Sequence, residues 1–279
     1  MTRPFPALMD RVRPRDAIDL MAWPCFALGK QRRLAPIAYA QRGRFLRVTP
    51  TSTAGLATIW DADILIWAVS QLAEGKDRHL VVSPELSVSG LQLLRFLGRS
   101  TGQTQYRALH AALERLRTSE VETNVGIPEG APVRFRWIER WERQQAALLI
   151  VVPDWLFVAI VERRRMVRVD PSYFRLTGGI DRWLWRLLHR HGNRKSTGWS
   201  IALSDLHARS GSLARQADFC VLLRRAVRRL AASGVPVAIV RSGSTEHLHH
   251  VQSTDRIHSA NEVLVHNAGF HPQNVGRGL

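Results

Sequence analysis

Lysine is nearly missing from this chain. Only Lys30, Lys76 and Lys195 are lysines, although lysine and arginine together number 40 against 23 acidic residues, a formal charge of +17 over 279 residues. Nearly all the positive charge is therefore arginine, whose planar guanidinium clamps phosphate or pairs bidentately with guanine. Cysteine is scarce too, with only Cys25 and Cys220. Two distant thiols make neither a disulfide framework nor a zinc site, and they suit a reducing cytoplasm. Tyrosine is limited to Tyr39, Tyr106 and Tyr173, which leaves few candidates for a tyrosyl nucleophile. The most apolar run, Leu148 to Val161, is interrupted by Pro153 and Asp154 and is too short to span a bilayer. The first six residues hold no apolar stretch of the kind a signal peptide needs. These absences predict a soluble, cytoplasmic protein with no membrane partner.

What is present favours a polyanion. An apolar share of 45% is ordinary for globular protein, so the positive charge does not mark a disordered basic tail. A cationic field of this size attracts nucleic acid first. Within residues 213–230, Phe219, Cys220, Leu223, Ala226, Val227 and Leu230 fall on one helical stripe. Arg225 and Arg228 lie opposite, with Val221 between them and Arg224 and Arg229 flanking. Such a helix can dock on a core and offer arginines to a DNA major groove. A solvated basic face is the alternative. Asp218 either accepts from cytosine, pairs with Arg215 along the helix, or is simply solvated.

The wider pattern predicts an α+β protein with tandem winged helix-turn-helix domains. Residues 1–43, rich in Pro and Arg, read as an arm with limited structure. The first winged-helix domain is expected over 44–152. It would contain a strand Phe45–Val48, a helix capped by Thr58 or Asp61 and ending near Gly75, and a second helix Ser87–Leu97 closed by Gly98. A third helix from Gln103 to Arg117 would follow, and a hairpin from Val121–Val125 and Val133–Trp141. A linking helix is expected over 153–165 and a second winged-helix domain over 166–252. There the strand Met166–Asp170 precedes a helix carrying Trp183, Leu184, Leu187 and Leu188, a short helix Ser204–Arg209 with an N-cap serine, the arginine helix and a hairpin. Residues 253–279 read as a polar tail. The third helix of the first half offers a mixed face of Arg107, Glu114 and Arg115, fitting phosphate contacts, a protein interface, or both.

Particular strings carry a resemblance. They are Ala57-Thr-Ile-Trp-Asp-Ala-Asp-Ile-Leu-Ile-Trp67, Val121-Glu-Thr-Asn124, Pro171-Ser-Tyr-Phe-Arg-Leu-Thr-Gly-Gly-Ile-Asp-Arg-Trp-Leu-Trp-Arg-Leu187, Leu206-His-Ala-Arg-Ser-Gly-Ser-Leu-Ala-Arg215, Asp218-Phe219 and Leu223-Arg-Arg225. Together they resemble the replication initiator A family of plasmids, from about Gly55 to Leu230. The resemblance implies a non-enzymatic initiator that binds double-stranded origin repeats and recruits host replication proteins such as a helicase or initiator. It also implies a nucleoid- or plasmid-associated protein, often repressing its own promoter and commonly as a homodimer. A winged-helix transcriptional regulator without a replication role needs the same DNA-reading parts.

Around the turn Ser210-Gly211-Ser212, Gly211 can supply a positive φ and Ser212 can cap the next helix, whose N-terminus can seat a phosphate. Arg190, Arg194 and Lys195 follow the first helix of that domain and could hold flanking phosphates. The expected DNA-binding residues are therefore Arg107, Arg115, Arg190, Arg194, Lys195, Ser210, Ser212, Arg215, Val221, Arg224, Arg225, Arg228 and Arg229. His247-Leu248-His249 matches the metal-binding pattern of rolling-circle nickases, but three residues specify little and a solvated segment is the expectation. Gly192-Asn-Arg-Lys-Ser-Thr197 lacks the glycine a phosphate-binding loop needs before its lysine. No catalytic residue, metal or cofactor is expected. Trp60, Trp67, Trp183 and Trp185 sit in or beside apolar stripes, so core packing is their expected role.

Overall fold

The computed structural model describes residues 3–250 apart from Arg11, 128–129 and 193–198. The chain opens with β1 (Phe5–Pro6), β2 (Arg15–Ala17), α1 (Ile18–Ala22), β3 (Ile37–Gln41) and β4 (Arg44–Pro50). Next come α2 (Ala62–Asp77), β5 (Glu85–Ser89), α3 (Gly90–Phe96), α4 (Gln103–Arg117), β6 (Ser119–Thr123), β7 (Val133–Arg136), β8 (Arg140–Gln144) and β9 (Ala147–Val151). After α5 (Asp154–Val161) and β10 (Met166–Arg168), the second half contains α6 (Gly179–Gly192), β11 (Trp199–Ala202), α7 (Leu203–Ser210), α8 (Gln216–Ala232), β12 (Val237–Ser242) and β13 (Thr245–His250). The protein is of mixed α and β class.

The two halves share one order of parts: helix, strand, helix, helix, hairpin. Three strands of their sheets match as well, in the orders β5-β9-β8, where β1 adds a fourth strand beside β5, and β11-β13-β12. In each, the strand between the first two helices pairs with the last strand of the hairpin. The repeated strand is therefore not the one expected from sequence. Phe45–Val48 lies in β4, and Met166–Asp170 yields β10, which pairs with β2.

The expected first hairpin also needs correction. β6 and β7 do pair, but they join β3 and β4 in a separate sheet of order β3-β4-β6-β7. The run to Trp141 divides: β7 ends at Arg136, Trp137 and Ile138 are buried between the strands, and β8 begins at Arg140. The equivalent hairpin is β8–β9. Ser87–Leu97, expected as one helix, is likewise divided. Leu86 and Val88 point inward from β5. Ser89 then caps α3 through reciprocal bonds with Gln92 of 3.0 and 3.2 Å. α2 runs through Gly75 rather than ending there, and the glycine makes room for the Phe5 ring, which an added Cβ would meet at 2.8 Å.

The N-terminal segment is no loose arm. Phe5, Ala17, Leu20, Met21, Cys25, Phe26 and Ile37 are buried. Its elements are too short to show a sustained period, which is why the sequence hides them.

α2 lies between the two cores. Ile64, Leu65 and Trp67 pack into the first, whereas Ile66 joins Met21 in the second with Trp183, Leu184, Phe219, Leu223 and Leu248. Being apolar all round, α2 is buried along nearly its whole length. Buried ion pairs join the halves. Arg182 of α6 grips Asp63 of α2 at 2.7 and 2.9 Å, and Arg99 adds a bond of 3.1 Å. Arg186 lies 2.7 Å from Asp16 with its guanidinium over the Phe26 ring. Among the described residues, no helix is long and apolar enough to cross a membrane.

Candidate nucleic-acid interface

α8 is held by its apolar face. Phe219, Leu223, Ala226 and Leu230 are fully buried, and Val227 nearly so. Cys220 is half-buried beside this stripe. On the other face Val221 stands 45% exposed, with Arg225 and Arg228 in solvent on either side of it. Neither arginine has a carboxylate partner among the described residues, so both guanidinium groups keep all their donors for a ligand.

The remaining arginines of this helix are engaged. Arg229 reaches back to Asp181 in the first turn of α6, with bonds of 2.9 and 2.7 Å. Arg224 bonds Glu246 of β13. These carboxylates raise the affinity of Arg229 and Arg224 for their protons, chiefly through the hydrogen bonds. Helical angle alone placed both outward, but a long side chain can fold back along its own helix. Arg215 is the N-cap of α8 and pairs with Asp218 at 2.9 Å, which selects the helix-pairing reading of Asp218.

The turn before α8 partly departs from expectation. Gly211 does take a left-handed φ of +64°. Ser210, however, is fully buried, donating to the His207 carbonyl and accepting from the Ser212 amide, so it offers nothing to DNA. Ser212 does not cap α8, which begins four residues later. Its hydroxyl accepts from the Ala214 amide instead. Ser204 likewise lies inside α7, whose N-cap is Ala202.

In the first half, Arg107 is exposed on α4, whereas Arg115 is tied to Asp61 by two bonds of 2.8 Å. That pair repeats the Arg229–Asp181 arrangement: an arginine of the third helix holds an aspartate at the start of the first helix through Nε and Nη2. The two aspartates differ in register, Asp61 lying six residues before the buried Trp67 and Asp181 four before the buried Trp185. Gln103 and Thr104 share the exposed side of α4 with Arg107. A groove of about 450 Å³ opens beside them, lined by Gln103, Tyr106, His110, Arg143 and Gln145 among others. Gln103 and Thr104 were not among the residues expected from sequence, which on this helix were the arginines Arg107 and Arg115.

Arg190 lies near the end of α6 and is half-buried. Arg194 and Lys195, with the Lys-Ser-Thr sequence, lie outside the described residues, as does the polar tail. His247 and His249 occupy alternate positions of β13, opposite Val240 and Ala238. No group of three potential metal ligands exists among the described residues. Tyr173 is fully buried, and burial pushes its hydroxyl pKa up. Trp67, Trp183 and Trp185 are buried, and Trp60 is half-buried beneath Lys30.

Comparison with known proteins adds an independent line. The family model described as "Replication initiator protein A" matches residues 15–234, starting well upstream of Gly55. A sequence search of curated proteins finds no match. Among solved structures, the chain is similar to selenomethionine derivatives of domains 2 and 3 of RctB, with a TM-score of 0.59 and 12% identity, covering 84% of this chain and 97% of that one. A second structure of RctB domains 2–3, spanning its residues 155–483, gives a TM-score of 0.52 at 13% identity and covers 89% and 99%. At such identity the likeness concerns the fold.

Proposed function

The chain belongs to the replication initiator protein A family, and on that premise we propose that it is a non-enzymatic initiator that binds repeated double-stranded DNA sites at a replication origin. Both halves are read as winged helix-turn-helix domains. The supporting features are their common order of helix, strand, helix, helix and hairpin, and the matching order of three strands in their sheets. The observation that carries the DNA reading is α8, anchored by its apolar face with Arg225 and Arg228 free in solvent. In a major groove these two read guanine or clamp phosphate. Arg107 on α4 serves the first half in the same way. Two domains entering successive grooves on one face of the duplex cover about 20 bp.

Recruitment of a host helicase or initiator, repression of the gene's own promoter and a homodimeric form belong to the same proposal. Footprinting on DNA either side of the gene, at several salt concentrations, tests it. Regularly spaced protected repeats are expected, with affinity falling ~10³–10⁵-fold between 50 and 200 mM salt if about six to ten phosphates are contacted. One palindrome over the promoter would replace the initiator with a dedicated transcriptional regulator. Metal-dependent relaxation of a supercoiled origin plasmid would replace it with a nickase.

A further inference from the structure

From Leu20 to Trp60 the chain contains no acidic residue, yet it carries Lys30, Arg32, Arg33, Arg42, Arg44 and Arg47. The fold lays this segment against the helix-turn-helix of the second half. Arg33 fixes it there, spending its guanidinium on three carbonyls: Ala35 at 2.9 Å, Pro36 at 2.9 Å and Gly211 at 2.5 Å. Gly211 is the residue that turns the chain from α7 toward α8. On the other side the Leu56 amide donates to the Arg33 carbonyl at 2.9 Å, and Arg32 donates to the Thr53 carbonyl at 3.2 Å. The loop is thus strapped between the entry to the first half and the turn before α8.

This mounting leaves Lys30 and Arg32 exposed, without a carboxylate partner among the described residues. Further along, the β3–β4 hairpin turns through Arg42 and Gly43, both left-handed, with φ of +50° and +71°. Such a turn favours Asn-Gly, and an arginine held there is strained. Arg42 is exposed, and the strand leading to it begins at Ile37, which lies against Gly211 in the turn before α8.

We propose that Lys30, Arg32 and Arg42 form a phosphate-binding strip that holds the DNA backbone flanking the groove entered by α8. The strip rests on the duplex-binding reading above. It positions the duplex and carries no sequence information, whereas Arg225 and Arg228 read bases.

The test compares the full-length protein with the triple variant Lys30→Ala/Arg32→Ala/Arg42→Gly and with a charge-matched control, Arg3→Ala/Arg13→Ala/Lys76→Ala. Arg42→Gly suits the left-handed turn, and circular dichroism melting confirms that each variant folds. The probe is a duplex of about 30 bp selected by the wild type from a random pool. Each lost phosphate contact lowers the slope of log affinity against log salt by ~0.9. The triple variant should therefore bind ~10–100-fold more weakly, with a slope shallower by ~2–3, and should select the same consensus from the pool. Affinity and slope equal to those of the control would overturn the strip and leave duplex binding standing. A shifted consensus would overturn its assignment to phosphate. Failure of the wild type to select any duplex would overturn the duplex-binding reading itself.

Discussion

Arg225 and Arg229 stand one helical turn apart on α8, and their surroundings divide their roles. Arg225 has no carboxylate partner among the described residues, and Arg229 closes a bidentate pair with the nearly buried Asp181. Arg225→Ala should leave the melting temperature unchanged and reduce discrimination at one base position by ~1–3 kcal/mol, read from competition binding against single-base variants. Equal loss on every sequence would make it a phosphate contact. Arg229→Ala should leave discrimination intact and destabilise the fold by about 1 kcal/mol in urea unfolding, because Asp181 loses its partner. The figure is modest because Arg229 itself is half in water. Exposed Arg225 and Arg228 were legible from helical angle. The capture of Arg229 and Arg224 was not, since Asp181 and Glu246 lie 48 and 22 residues away in sequence.

The turn between α7 and α8 depends on one backbone angle. Gly211 has a φ of +64°, and an added Cβ would lie 3.0 Å from Pro24 and 3.1 Å from Ile37. Gly211→Ala should therefore destabilise the protein by ~1–3 kcal/mol, combining left-handed strain with crowding. The same variant should weaken DNA binding by displacing the carbonyl that Arg33 grips. A melting temperature equal to wild type would show that the turn relaxes without strain. The glycine was readable from sequence as a stop between helices. Its close approach to Pro24 and Ile37 was not, because the residues before β3 look like a loose arm until they are seen against the second half. Periodicity found α4, which has one wet and one dry face, and it found α6 through the spacing of its apolar residues, although its polar Asp181, Arg182 and Arg186 are buried too. It could not divide Ser87–Leu97, where a strand and a helix share an apolar run.

Across the whole molecule, ion pairs at the junction set how the halves are held. Asp16 and Arg186 are both almost wholly excluded from water. Burial raises the Asp16 carboxyl even against the attraction of Arg186. Removing one partner strands a charge in the interior, so Asp16→Ala should cost ~3–5 kcal/mol in unfolding free energy, and Asp16→Leu/Arg186→Met should recover most of it. A single variant as stable as wild type would mean that the junction admits water.

Two histidines give a pH dependence. His189, stacked on Trp185 at 3.6 Å between ring centres, and His250 are both held below the usual histidine range by burial. Near neutral pH both folded and unfolded states carry them neutral. Below about pH 6.5 the unfolded chain takes up protons that the folded one resists, so stability falls as the pH drops toward the folded values. Thermal melts between pH 7 and 5 should show this decline, and His189→Phe should flatten it. An unchanged slope in that variant would remove His189 from the account.

Sequence alone determined what local chemistry dictates. It set the excess of arginine, the apolar stripe of α8, the span of α4 and the left-handed glycine before α8, because each depends on neighbours within a few positions. The strings of the family resemblance were likewise readable without coordinates. Only the tertiary structure decided which arginines remain free, because ion pairing depends on carboxylates distant in the chain. It also decided which sheet each strand joins, since β6–β7 and β8–β9 are locally similar and differ in what lies beside them. The role of the N-terminal segment was decided in the same way. Its buried residues and its basic strap gain meaning only from the two cores and the helical turn they meet.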